Sequence, residues 1–115
     1  MSIESPTALI VEDERIIAFD LADAMTDAGY RVKIAHDAGS AIDLVRQEPS
    51  FSAAVIDLCL RGNMQGGDLV RLLRAKHPAL PICVVTGYTD GLDLPEEVPV
   101  LQKPFDYDVL IELLK

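Results

Sequence analysis

The chain has 115 residues, half of them hydrophobic and a quarter charged, which is enough for a single domain spanning 1–115 and too little for a second core. Nineteen Asp and Glu against ten Lys and Arg leave a formal charge of -9, which excludes non-specific nucleic-acid binding because that needs clustered cations to displace counterions from phosphates. The N-terminus lacks a basic region followed by a long apolar stretch, and no later apolar run approaches membrane-spanning length, so a cytoplasmic protein with no membrane partner is expected.

Thr7-Ala8-Leu9-Ile10-Val11 is a continuous apolar run, the pattern of a strand buried on both faces, and it stops at Glu12-Asp13-Glu14. Over 15–28, Ile16, Ile17, Phe19, Leu21, Ala24 and Met25 recur near helical spacing, and Gly29 follows as a stop. Arg31–Ala35 reads as an edge strand with alternating Val32 and Ile34. Asp37 then caps a second helix carrying Ala41, Ile42, Leu44 and Val45, which ends at Pro49. Ala53-Ala54-Val55-Ile56 is another buried strand, with Asp57 at its end. The glycines of 61–67 mark a loop with Met64 exposed in it, and a third helix over 68–77 is broken by Pro78. A fourth strand over 81–86 delivers Thr86. The stretch 87–99 holds two Gly and two Pro, so a loop or single turn is expected there. A short fifth strand over 98–102 is interrupted by Pro99, and Phe105, Val109, Leu110, Leu113 and Leu114 form the apolar stripe of a last helix. Cys59 and Cys83 lie in apolar, strand-like contexts and read as buried thiols rather than metal ligands or a disulfide.

Alternating strands and helices with right-handed crossovers give an α/β fold, a parallel sheet with helices on both faces. For five strands the doubly wound order 2-1-3-4-5 is the natural arrangement, and residues just past the strand ends then gather at one edge. Glu12-Asp13, Asp57, Thr86 and Lys103 hold those positions. Three carboxylates so close repel one another and stay ionised only beside a compensating cation. Magnesium suits them, since it takes hard oxygen ligands and keeps several waters. Capture of a phosphoryl group with help from a divalent cation is the chemistry such an edge supports.

Four segments, Leu9-Ile10-Val11-Glu12-Asp13-Glu14, Val55-Ile56-Asp57-Leu58, Val84-Val85-Thr86-Gly87 and Gln102-Lys103-Pro104-Phe105, together resemble a response-regulator receiver domain of two-component signalling, over nearly the whole chain. The resemblance implies a flavodoxin-like doubly wound five-stranded parallel sheet in the order 2-1-3-4-5. It makes Asp57 the nucleophile that takes a phosphoryl group from a histidine kinase or histidine phosphotransfer protein. It implies Mg2+ held by Asp13 and Asp57 directly, by Glu12 through water and by the backbone carbonyl of Cys59. Lys103 would act as a mobile point charge on the transferring group, aimed inward by Pro104, which often follows a cis bond in the family. The Thr86 hydroxyl would bind the new phosphoryl oxygen and draw 86–88 inward, and a downstream protein target would read the change. Such a domain catalyses its own phosphorylation and slow dephosphorylation rather than turning over a substrate, as a monomer or weak homodimer.

Two departures from the family pattern stand out. Val100 occupies the position, three before Lys103, that usually holds a swinging Tyr or Phe. The interval from Thr86 to Lys103 is 17 positions, several fewer than usual, so the fourth helix, between strands four and five, is short or absent. Tyr88 is a candidate replacement for the missing aromatic, in a subgroup with Thr-Gly-Tyr after the fourth strand. Glu14 reads only as an acid complementing a helix start, neither His36 nor His77 reads as a phosphoacceptor, and Arg71, Arg74, Lys76 and His77 read as a solvated helix face. An aspartyl phosphohydrolase usually carries a second acid two residues after its nucleophile, where this chain has Cys59. A partner-binding pseudo-receiver, or a receiver excised from a hybrid histidine kinase, completes the alternatives.

Overall fold

The computed structural model describes residues 6–48, 50–60, 62, 64–87 and 91–115. The elements run β1 Thr7–Val11, α1 Arg15–Asp27, β2 Arg31–Ala35, α2 Ala38–Gln47, β3 Ala53–Asp57, α3 Gly66–Lys76, β4 Ile82–Thr86, β5 Val100–Gln102 and α4 Tyr107–Leu113. Every strand pairing is parallel and the order is β2-β1-β3-β4-β5, the doubly wound arrangement expected from the sequence. The three inner strands are buried at every position, which is why they read as unbroken apolar runs, whereas the edge strands β2 and β5 are partly exposed.

Strand residues alternate between the two faces. On one face Ala8, Ile10, Val55 and Val85 pack with Leu21 and Met25 of α1 and Leu110 of α4. On the other, Leu9, Val11, Ile56 and Val84 pack with Ala41 and Val45 of α2 and Leu69 and Leu73 of α3. Asp37 caps α2 as expected, its Oδ1 accepting from the Ser40 N–H at 2.7 Å, and this bond holds its carboxyl below the usual range. Among the described residues no helix is long and apolar enough to cross a membrane.

Several expectations change. Helix α3 starts at Gly66 rather than at residue 68, and Gly66 lies against the chain just past β3, where a Cβ would fall 2.7 Å from Leu58 Cα. Met64 is not exposed but half-buried against the core. Cys83 is buried, and burial pushes its thiol up to about 11, but Cys59 is exposed because β3 has already ended at Asp57. Ile16 and Phe19 of α1 and Val109 and Leu113 of α4 are exposed, not core-facing: the apolar arc of each helix is wider than the arc that meets the sheet. Pro49, Arg61, Asn63 and Tyr88 lie outside the described residues.

No described residue between β4 and β5 is helical. Instead the segment is strapped to α3 by arginines that the sequence marks only as solvated. The Arg71 guanidinium donates to the Asp93 carbonyl at 2.6 Å, and Arg74 donates to Glu97 Oε1 at 2.9 Å. Leu94 and Val98 pack onto the α2–α3 side of the core. Strand β5 then begins only at Val100, after Pro99, whose carbonyl still accepts from the Val84 N–H at 2.9 Å.

Candidate metal and phosphoryl site

The register brings the strand ends together. Val11 pairs with Ile56, which places Glu12 beside Asp57, and Thr86 pairs with Gln102, which places Lys103 beyond Thr86. The Lys103 N–H donates to the Thr86 carbonyl at 2.7 Å, extending the β4–β5 ladder, and the Lys103–Pro104 peptide bond is cis. At the start of the site, the Glu12 N–H donates to the Ala35 carbonyl at 3.0 Å, and the His36 ring Nδ1 lies 2.9 Å from the Glu12 carbonyl oxygen. His36 therefore braces β1 just where its acid leaves the sheet.

Of the five residues expected at this edge, Glu12, Asp57 and Thr86 are buried, and Asp13 and Lys103 are half-buried. Glu12, Asp13 and Asp57 each offer a carboxylate oxygen, and these oxygens all lie within 4.8 Å of one another. The Lys103 ammonium reaches into the group, 3.2 Å from Glu12 Oε1 and 3.4 Å from Asp57 Oδ2. Asp57 Oδ1 accepts from the Cys59 N–H at 3.2 Å, so the two oxygens of Asp57 have different partners. The Cys59 side chain takes no place in this acid cluster.

The electrostatics follow from burial. Desolvation and the adjacent Asp57 push the Glu12 carboxyl up to about 8, against a smaller opposing pull from Lys103. Burial disfavours the Lys103 ammonium, but the Asp57 and Glu12 charges prevail and hold it above its ordinary value. Once Glu12 ionises, one ammonium does not balance three carboxylates. An all-oxygen set of this kind fits a hard divalent cation, which would bring the missing positive charge.

Two features of the site carry weak sequence signals. Gly66 reads as loop glycine, yet its lack of a side chain lets α3 close against the Asp57–Leu58 backbone. The role of His36 depends on β2 lying beside β1, a relation between residues 24 positions apart.

A family model described as the response regulator receiver domain matches residues 8–115. Among solved structures, the response regulator receiver protein from Sinorhizobium medicae WSM419 superposes with a TM-score of 0.85 at 28% identity, covering 98% of this chain and 97% of that one. A response regulator from Burkholderia pseudomallei, solved with a phosphorylated aspartic acid, a calcium ion and citrate, has a TM-score of 0.80 at 29% identity over 96% of this chain and 66% of that one. In sequence, a putative NtrX-like response regulator of Rickettsia bellii is 27% identical over 113 residues; the match covers 93% of this chain and only 23% of that relative's length.

Proposed function

The chain belongs to the response-regulator receiver family, and on that premise we propose that Asp57 accepts a phosphoryl group from a histidine kinase or histidine phosphotransfer protein, and that a downstream protein target reads the result. The observation that carries this reading is the convergence of three carboxylates and the Lys103 ammonium at one sheet edge.

In the step proposed, Asp57 Oδ2 attacks phosphorus, the bond from phosphorus to the donor imidazole nitrogen breaks, and its electron pair leaves with the ring, which is neutral once its other nitrogen carries a proton. The Cys59 N–H holds Oδ1 and leaves Oδ2 on the Lys103 side. There the Lys103 ammonium meets the negative charge that spreads over the phosphoryl oxygens. Thr86, buried at the end of β4, supplies a hydroxyl for the new phosphoryl oxygen, and the connection that follows it carries the change to the surface.

Asp13 and Asp57 would hold Mg2+ directly, Glu12 through a water and the Cys59 carbonyl as a further oxygen. When bound, the ion neutralises charge on the carboxylates and on the transferring group. That the Burkholderia pseudomallei regulator was solved with both a phosphorylated aspartic acid and a calcium ion supports this assignment. Ile16 and Phe19, 78% and 55% exposed on the first turns of α1 after Asp13, give the donor protein an apolar footing beside the acids.

Incubation with acetyl phosphate and magnesium, followed by intact mass measurement, tests the reading. One phosphoryl adduct per chain, absent in Asp57→Asn and lost on chelation, is the expected result. An adduct that survives Asp57→Asn would refute it.

A further inference from the structure

We infer that the cleft between α2 and α3, at the sheet edge opposite the acid cluster, docks an acidic protein segment that carries apolar anchor side chains. Two cavities of about 250 and 190 Å3 adjoin there and share Val45 and His77. Their apolar lining comes from Ile42, Val45, Phe51, Leu72, Leu73 and Leu80. Phe51 and Leu80 lie just before β3 and β4 begin, whereas Asp57 and Thr86 end those strands, so the cleft and the phosphoryl site are separated by the length of a five-residue strand, about 17 Å. A segment seated in the cleft leaves Asp57 open to its donor.

Charge identifies the occupant. The chain carries a formal charge of -9, and Lys33, Arg71, Arg74, Lys103 and Lys115 each meet a carboxylate within 4.0 Å. Arg46 and Lys76 line the smaller cavity and, like Arg15 and Arg31 elsewhere, meet no acid within 4.0 Å among the described residues. Each sits in the last turn of its helix, where a cation complements the dipole. That accounts for their sign, while the apolar cleft between them is open only at the half-buried Ile42 and Leu72, above the buried Val45 and Leu73. An amphipathic segment satisfies both features at once, its apolar side chains filling the cleft and its carboxylates meeting Arg46 and Lys76. A basic segment would meet like charge at the rim.

The probe is a synthetic peptide with Leu at helical i, i+3, i+4 and i+7 spacing and Glu between, compared with a counterpart that has Lys for every Glu. It is titrated into the 15N-labelled protein. The Glu peptide is expected to give saturable amide shifts confined to 42–46 and 72–80, unchanged in Asp57→Asn and weakened about tenfold in the doubly substituted R46E/K76E. Both substituted residues are exposed, and unchanged sheet resonances certify that the variant folds. The absence of saturable shifts in the cleft, equal binding of the Lys peptide, or full binding by R46E/K76E would each overturn the proposal. So would self-association of the free protein that R46E/K76E abolishes, which would assign the cleft to a second copy of the chain.

Discussion

Lys103 and Glu12 are 91 positions apart and meet across the sheet edge with 3.2 Å between Nζ and Oε1, the carboxylate side of the pair being only 1% exposed. This contact joins the end of β5 to the end of β1, and the same ammonium also reaches Asp57 Oδ2 at 3.4 Å.

Removing the cation should therefore damage the metal-free protein more than a surface lysine would. Lys103→Met is expected to lower stability by about 2 kcal/mol, less than for a fully buried pair because a quarter of the Lys103 side chain remains exposed. Saturating magnesium should restore much of the loss, since a divalent cation replaces the missing charge, but phosphorylation by acetyl phosphate should stay slow. Denaturant melts with and without the metal, alongside mass-detected phosphorylation, check both halves.

Stability should depend on pH through Glu12. Its folded-state pKa of about 8 lies above the ordinary 4.5, so across that window the folded chain holds a proton that the unfolded chain has released. Unfolding then releases protons, and stability attributable to this group is full below pH 4.5, declines as pH rises, and is lost above about 8. Magnesium favours the ionised acid and should flatten the decline. Urea denaturation in a chelating buffer, repeated in Glu12→Gln, measures it: the variant should lose this component of the slope.

Gly66→Ala tests the approach of α3 to the site. The added methyl would lie 2.7 Å from Leu58 Cα and 2.9 Å from the Asp57 carbonyl carbon, backbone atoms that yield only if the helix moves. A cost of about 2 kcal/mol is expected, with a loss of phosphorylation that persists at temperatures where the variant is fully folded. Calorimetry and single-turnover phosphorylation separate the two effects.

Phe19→Ala should do the reverse. At an exposed position its effect on stability is expected to stay within about 0.5 kcal/mol, and phosphorylation by acetyl phosphate should be unchanged. Transfer from a phosphohistidine-bearing protein should slow if, as proposed, such a donor rests on the apolar face of α1 that acetyl phosphate does not need. Parallel time courses with the two donors decide it.

The strand ends were legible because β1, β3 and β4 are buried on both faces, so each reads as an apolar run cut off by one polar residue: Glu12, Asp57, Thr86. Lys103, beyond the short β5, was legible only as the last member of that series. Helix faces were harder. Ile16, Phe19, Val109 and Leu113 match helical periodicity as well as Leu21 or Leu110 do, yet they point to solvent, since periodicity records where apolar residues lie and not which arc a sheet will cover. Cys59 misled for a related reason, as its apolar neighbours continue past the point where β3 stops pairing.

Local pattern thus determined the elements and their succession along the chain, because burial of parallel strands is written into consecutive side chains, and the family resemblance supplied the strand order that sets Glu12, Asp57, Thr86 and Lys103 at one edge. The tertiary structure alone decided the contact between Lys103 and Glu12, the brace from His36, the closure of α3 over Gly66, and the arginine straps that stand where a helix would be. Each of these depends on the distance between groups far apart in the chain, and that distance exists only once the sheet has set which strand lies beside which.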